Sequence, residues 1–292
     1  MADTDARTPH GSRLRSLLVL SRPRFWLYLA GPVLVGVAFG ADAVADLVTP
    51  RTLALFGYFL VPANLLLYGV NDVFDRDVDA ANPKKAGREG RYAGDPVVPA
   101  VVVASFLLGL ALFPVVPPVA WPHLAGFLLL GVAYSAPPLR LKTTPPLDSL
   151  SNGLYVLPGA AAYATVAGVQ PPLAALVGGL LWAMAMHTFS AIPDVEPDRA
   201  AGIRTTATVL GPPRTLVYCA AVWLLAAGAF ALVDGRIGAL LLCYPLLVVG
   251  IVAADVDVTR AYWWFPAVNT LVGAALTVGG LTRLVPPGAV LP

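Results

Sequence analysis

Nine apolar runs constrain this chain more than any other feature. They fall at about 25–45, 53–71, 97–116, 119–135, 149–168, 172–192, 214–233, 237–254 and 262–284. Most approach the roughly 20 residues that a helix needs to cross a hydrocarbon core. In lipid every backbone N–H and C=O must be paired internally, so only helices and closed barrels can span it. The runs lack the period-2 alternation of barrel strands and read as helices. Composition agrees, because 12% of the 292 residues are charged, about half of the rough quarter found in soluble domains. The sequence predicts an all-α polytopic membrane protein with nine transmembrane helices in one bundle. It forms a single domain over 1–292, with an N-terminal tail over 1–22. The first run is too long for a signal core and no small-residue cleavage site follows it, so it is expected to be a span.

The basic residues set the expected orientation. Of sixteen Arg and three Lys, sixteen fall on the side that takes the N-terminus; Arg51, Arg236 and Arg283 fall on the other. By the positive-inside rule this predicts a cell-membrane protein with a cytoplasmic N-terminus and an extracellular C-terminus. The connections after spans two and six are polar and about 25 and 21 residues long. Loops of that length usually carry function, so the chemistry is expected at the cytoplasmic face. Cys219 and Cys243 lie in apolar runs with no metal-ligand spacing and read as packing residues.

The stretch "NDVFDRDVD" (Asn71–Asp79) puts four aspartates into nine residues at the end of the second run. On a helix, Asn64, Tyr68, Asn71, Asp72, Asp75 and Asp79 share a stripe about 100° wide, while Asp77 falls on the far side. The ordinary reading is a solvated loop with Asp and Asn in turns. The stripe runs back into the span through Asn64 and Tyr68, however, and polar residues inside a span usually face the bundle interior or a cavity. Converging carboxylates repel one another, and a hard divalent cation relieves that repulsion. Oxygen donors without Cys or His select Mg²⁺ over zinc, and Mg²⁺ is commonly completed by substrate phosphates. A Mg²⁺–diphosphate site is the expectation.

A second set opens the loop after span six, where "IPDVEPDRAAG" brings Asp194 and Asp198 four residues apart. An ideal helix would extend their face through Ser190 and His187, although Pro193 and Pro197 oppose an undistorted helix there. Glu196 projects away. In "YSAPPLRLK" (Tyr134–Lys142), Arg140 and Lys142 are positive-inside markers or partners for a departing diphosphate. In "LDSLSNGLY", Asp148 reads as the N-cap of span five, and Asn152 and Tyr155 lie on its face. His10 and His123 have no evident partner and no Ser–His–Asp set exists, so covalent catalysis is not expected. No GxxxxGK[ST] occurs, which excludes a P-loop.

The stretch "NDVFDRDVD" matches an NDxxDxxxD motif and "DVEPDRAAG" a DxxxDxxxG motif. In these motifs and their order the chain resembles the UbiA-type intramembrane prenyltransferases over nearly its whole length. The resemblance implies a nine-helix bundle with a central cavity open sideways to lipid, in which Mg²⁺ on the two aspartate motifs binds a prenyl diphosphate. Carried over by position, Asn71, Asp72, Asp75 and Asp79 supply the first motif and Asp194, Asp198 and Gly202 the second. Tyr134 with Arg140 and Lys142 resembles the tyrosine-plus-lysine element after span four. Within the family, "AIPDVEPDRAAGIRTTATVLG", "YSAPPLRLK" and "LDSLSNG" look most like the lycopene elongases of pigmented haloarchaea and actinobacteria. That implies transfer of dimethylallyl units from dimethylallyl diphosphate to lycopene, in C50 carotenoid synthesis of the bacterioruberin type, with hydration in the haloarchaeal enzymes. Tyr68, Phe74 and Tyr155 are candidate aromatic faces for an allylic cation.

Within the family, acceptors of quinone synthesis or archaeal ether-lipid synthesis are the rival reading. A cation-coupled transporter is the rival from another class, but transporters hold their sites near the midplane, and these acids sit at one face. No nucleic-acid partner is expected. Asp72→Ala or Asp198→Ala should abolish prenyl transfer with the fold intact, whereas Asp77→Ala should be nearly silent. Turnover in membranes, normalised to protein content, checks this; an inactive Asp77→Ala at normal content would sink the helical-face assignment.

Overall fold

The computed structural model describes residues 10–75 and 95–285. Among the described residues there is no strand. The helices are α1 His10–Leu20, α2 Trp26–Gly40, α3 Pro50–Leu60, α4 Pro62–Phe74, α5 Val97–Ala111, α6 Trp121–Ala133, α7 Leu147–Leu150 and α8 Leu157–Ala167. There follow α9 Leu173–Ser190, α10 Val195–Ala200, α11 Thr206–Leu210, α12 Pro212–Ala231, α13 Gly235–Leu241, α14 Cys243–Ala253, α15 Val258–Tyr262 and α16 Phe265–Leu281.

Every expected run is matched by a helical segment, but not every segment is a full span. Arg15–Gly40, Pro50–Phe74, Leu173–Ala200, Pro212–Ala231, Gly235–Ala253 and Val258–Leu281 are long and apolar enough to cross a membrane. Val97–Ala111 and Pro118–Ala133 are shorter, and 147–167 is broken into α7, a 3₁₀ stretch Ser151–Tyr155 and α8. Length and composition thus support six crossings directly. The outer surface carries the matching signature of a lipid-facing bundle, since large side chains such as Leu129, Leu173, Val217, Leu232 and Leu271 are exposed in numbers that a soluble surface rarely tolerates. This is a multi-pass membrane protein. Within the expected tail, His10–Leu20 is helical.

Proline sets several boundaries. Pro50, Pro62, Pro158 and Pro212 each sit in the first turn of a helix, where the missing N–H costs nothing. Pro62 also divides the second span, and Val61 leaves helical geometry with φ −125° and ψ −58°. Asn64 answers this break. Its amide donates to the carbonyls of Phe59 at 3.2 Å and Leu60 at 3.0 Å, groups that the break deprives of regular partners.

Two clusters form the core. The first gathers Leu29, Leu55, Phe59, Leu66, Leu124 and Phe127 from α2, α3, α4 and α6. The second gathers Phe189, Trp223, Tyr244 and Phe265 from α9, α12, α14 and α16, with the Trp223 ring 5.2 Å from Tyr244 and 5.7 Å from Phe265. Helix α2 joins them, packing against α8 on one side and α16 on the other. The α2–α8 approach is backbone on backbone, for a Cβ on Gly36 would lie 2.1 Å from the Gly159 carbonyl oxygen. Small residues permit such approaches between membrane helices, where dispersion rather than water drives packing.

Gly36→Ala is expected to destabilise the fold by about 1–3 kcal/mol, as overpacking does. Gly57→Ala, where nothing lies within 4 Å of the added carbon, should be neutral or stabilising by up to about 1 kcal/mol. Thermal unfolding of the two variants in detergent checks the contrast.

Candidate functional site

The end of α4 carries the first acidic set, and the structure surrounds it with cations. Asp75 accepts from Arg140 Nη2 at 3.0 Å and is also bonded to Lys142 Nζ. Lys142 donates as well to Asn71 Oδ1 at 2.9 Å, where the Ser135 hydroxyl donates at 3.2 Å. Arg22 pairs with Asp72 at 3.5 Å. Both carboxylates are buried. Two segments far apart in sequence therefore converge on α4: the stretch before α2 and the loop after α6.

Backbone geometry aims two of these cations. Arg22 and Arg140 have φ values of 49° and 38°, in the left-handed region that costs an L-residue roughly 1–2 kcal/mol. In the loop after α6, Arg140 N–H donates to Ala136 O at 3.0 Å and Lys142 N–H to Tyr134 O at 3.1 Å. The chain is folded tightly back on the end of α6, which turns both side chains toward Asp75. Strain of this kind is characteristically held at functional sites.

Beneath the charged rim lies a cavity of about 240 Å³. Tyr68, Asn71, Tyr134, Asn152, Tyr155, His187 and Ser190 line it, all of them expected from the sequence, together with Arg22, Phe25, Tyr28, Trp182 and Tyr262. The Arg22 guanidinium lies 4.4 Å from the Tyr68 ring centre. Phe25 stacks on Tyr28 at 5.3 Å, and Tyr28 meets Tyr155 edge-on at 6.3 Å. Tyr28, Tyr155 and Trp182 also line a second, largely apolar cavity of about 600 Å³ between α2, α8, α9 and α16, which reaches Phe39 and Arg283. A polar chamber with an aromatic wall thus adjoins a much larger apolar one.

Other expected residues stand elsewhere. Asn64 is 1% exposed and serves the break between α3 and α4 instead of the cavity. Phe74 is 44% exposed on the outside. Helix α4 stops at Phe74, so the ideal-helix projection ends at Asp75, and Asp77 and Asp79 lie outside the described residues. Among the described residues no three His, Cys, Asp or Glu side chains gather closely enough to hold a metal by themselves. Asp194 closes a 3₁₀ turn and Asp198 lies in α10, partly buried; neither lines the two cavities. Gly202 ends that segment at φ 71°, a conformation in which glycine has no steric penalty.

Asp148 differs from expectation in an instructive way. It does not cap its own helix. Fully buried, its carboxylate accepts from the Thr206 N–H at 2.7 Å and the Thr206 hydroxyl at 2.6 Å, at the start of α11. Asn152 Nδ2 donates to the Asp148 carbonyl at 2.6 Å. The carboxylate caps a helix of the distant loop after α9, and so ties that loop to the segment that carries Asn152 and Tyr155. No local pattern signals a cap provided from 58 residues away. Arg22 was equally hard to single out, because it reads as one positive-inside marker among many.

A helical membrane bundle that holds paired carboxylates and cations beside an aromatic-lined cavity and a larger apolar one is the build of an intramembrane enzyme. Residues 29–281 match the UbiA prenyltransferase family. The chain is 68% identical over 275 residues to the lycopene elongase/hydratase of Haloferax volcanii, covering 94% of this chain and 91% of that protein. To the lycopene elongase/hydratase of Halobacterium salinarum it is 65% identical over 272 residues, covering 93% and 98%. Its fold is similar to that of a UbiA homolog from Archaeoglobus fulgidus bound to GPP and Mg²⁺, with TM-score 0.71 at 23% identity, covering 90% and 99% of the two chains. This chain belongs to the UbiA prenyltransferase family and is a prenyl-transferring enzyme.

Removing the buried cap should loosen the site. Hydrogen bonds to a charged group contribute about 1.5–3 kcal/mol, so Asp148→Ala is expected to lose at least that much stability. Thr206→Val keeps the N–H bond and should lose less. Unfolding midpoints of both variants in detergent check the order.

Proposed function

We propose that this enzyme moves a dimethylallyl group from dimethylallyl diphosphate to an end of lycopene. The observation that carries the reading is that Arg22 and Asn71, bonded to the charged cluster on Asp72 and Asp75, line an aromatic cavity that shares Tyr28, Tyr155 and Trp182 with a larger apolar one. The two relatives named lycopene elongase/hydratase, at 68% and 65% identity, support the acceptor. A hydrocarbon acceptor fits a chamber with few charged lining residues. We propose nine crossings with a cytoplasmic N-terminus and the rim at the cytoplasmic face, a reading supported by the distribution of Lys and Arg.

The donor set fits a hard divalent cation, because the Asp72 and Asp75 carboxylates and the Asn71 amide oxygen are hard oxygen donors. In this reading Mg²⁺ would be held by Asn71, Asp72, Asp75 and Asp79 and, in the second motif, by Asp194 and Asp198. When bound, Mg²⁺ supplies charge neutralisation for the diphosphate. Arg22, Arg140 and Lys142 add fixed positive charge at the same rim and stabilise the negative charge that grows as the allylic C–O bond breaks and its electron pair leaves with the diphosphate. Faces of Tyr68 and Tyr155 stabilise the allylic cation in a chamber shielded from bulk water. The terminal double bond of the acceptor then forms the new C–C bond, leaving a tertiary cation on the acceptor.

Expression in a lycopene-accumulating bacterium should yield carotenoids heavier than lycopene by one or two five-carbon units, read by mass spectrometry of extracted pigment. In isolated membranes supplied with dimethylallyl diphosphate, chelation should stop the reaction and Mg²⁺ restore it. Unchanged lycopene, with the protein present in the membrane and the donor available, would remove the acceptor assignment and redirect the search to quinone and lipid acceptors.

A further inference from the structure

Prenyl transfer to an alkene leaves a tertiary cation, and something in the cavity must take up a proton before product can leave. The chain has three histidines. His10 begins α1, and His123 is bonded to Gln170 at 2.7 Å, near the α8–α9 turn. His187, near the end of α9, lines the 240 Å³ cavity directly. Among the described lining residues the alternatives are poor proton acceptors. Arg22 is already a cation, while Tyr134, Asn152 and Ser190 are neutral hydroxyls and an amide. A neutral imidazole keeps one ring-nitrogen lone pair free to take a proton, which none of these others offers as well.

The neighbours of His187 favour water over a bare C–H bond as the proton source. The Tyr134 hydroxyl stands 3.5 Å from Nε2, at the limit of a hydrogen bond, with the rings edge-on at 5.9 Å and 86°. Asn152 and Ser190 line the same cavity. The Ser190 hydroxyl donates to the His187 carbonyl at 2.6 Å, which leaves its oxygen lone pairs to accept. A buried water needs two to four polar partners, and these side chains furnish them at one end of a chamber otherwise walled by aromatic and apolar groups.

We infer that His187 accepts the proton of a water held beside Tyr134, and that this water hydrates the cation formed by prenyl transfer. The water oxygen forms the C–O bond with a lone pair and one of its O–H bonds breaks. That electron pair stays on oxygen, the proton passes to Nε2, and the imidazolium later returns it to solvent. The product is a tertiary alcohol. The assignment rests on the proposed function.

The test measures products, not survival of the fold. Wild type, His187→Gln, His187→Phe and Tyr134→Phe are expressed in a lycopene-accumulating bacterium grown with ¹⁸O-water, and protein in the membrane is quantified. Mass spectrometry gives the ratio of labelled hydrated to anhydrous elongated carotenoid. Both His187 variants should lower that ratio by about 100-fold, the low end of what general acid–base groups contribute, and Tyr134→Phe should lower it less. General destabilisation reduces both products together and leaves the ratio alone. His187→Gln, close in size and polar, decides the case if the Phe variant fails to accumulate. A wild-type ratio in His187→Gln overturns the assignment and leaves the elongase reading standing, as does a wild type that makes only anhydrous products. A wild type that elongates nothing overturns both.

Discussion

Asp75 is held between Arg140 and Lys142, with Asp72 beside it on Arg22, and the geometry of the site hangs on this cluster. Buried carboxylates are tolerated only when paired. Here the pairing recruits the segment before α2 and the loop after α6, which also reach α4 through Arg22 over the Tyr68 ring and Lys142 on Asn71. Both arginines adopt left-handed backbone conformations, a local cost accepted where surrounding structure over-determines the backbone. The result is a rim whose positive and negative groups are in position before any substrate arrives, which is what electrostatic stabilisation of a departing anion requires.

Below the rim the physics changes from charge to shape. The aromatic wall of Phe25, Tyr28, Tyr68 and Tyr155 separates polar groups from a cavity of about 600 Å³ between α2, α8, α9 and α16. That cavity exists because the two core clusters do not merge. Helix α2 bridges them, held against α8 by the Gly36–Gly159 approach and against α16 where Gly280 meets Ala38. Close packing along two seams leaves space between them, so the small residues that tighten the bundle also define its hollow.

The polar network under the rim keeps the hollow in register with its mouth. Asp148 bonds to Thr206, and Ser149 bonds to Thr188 and Tyr218 at 2.8 and 3.0 Å. These contacts lock the broken segment at 147–155 against α9, α11 and α12. A helix interrupted inside a membrane protein must have its backbone groups satisfied by protein. The interruption in turn brings Asn152 and Tyr155 into the cavity.

Much of this was legible in the sequence. Apolar runs of span length require helices in lipid whatever the tertiary fold, and the membrane class followed from that alone. The first aspartate motif located the charged cluster at the end of α4, and Tyr68, Asn71, His187 and Ser190 line one cavity because helical periodicity is local and survives packing, with Tyr134, Asn152 and Tyr155 beside them. Where periodicity ends, so did the reading. Asn64 lies on the expected face, but a proline two residues earlier gives it backbone carbonyls to satisfy. The projection through Asp79 assumed a helix that stops at Phe74. The partners of Asp72, Asp75 and Asp148 come from residues about 50 to 70 positions away, and no spacing in a single sequence encodes which of many arginines or threonines will arrive there. The sequence by itself determined a helical membrane protein with an acidic motif at the end of its second apolar run. Only the tertiary structure decided which cations face those acids and where the cavity runs, because ion pairing and packing act through space.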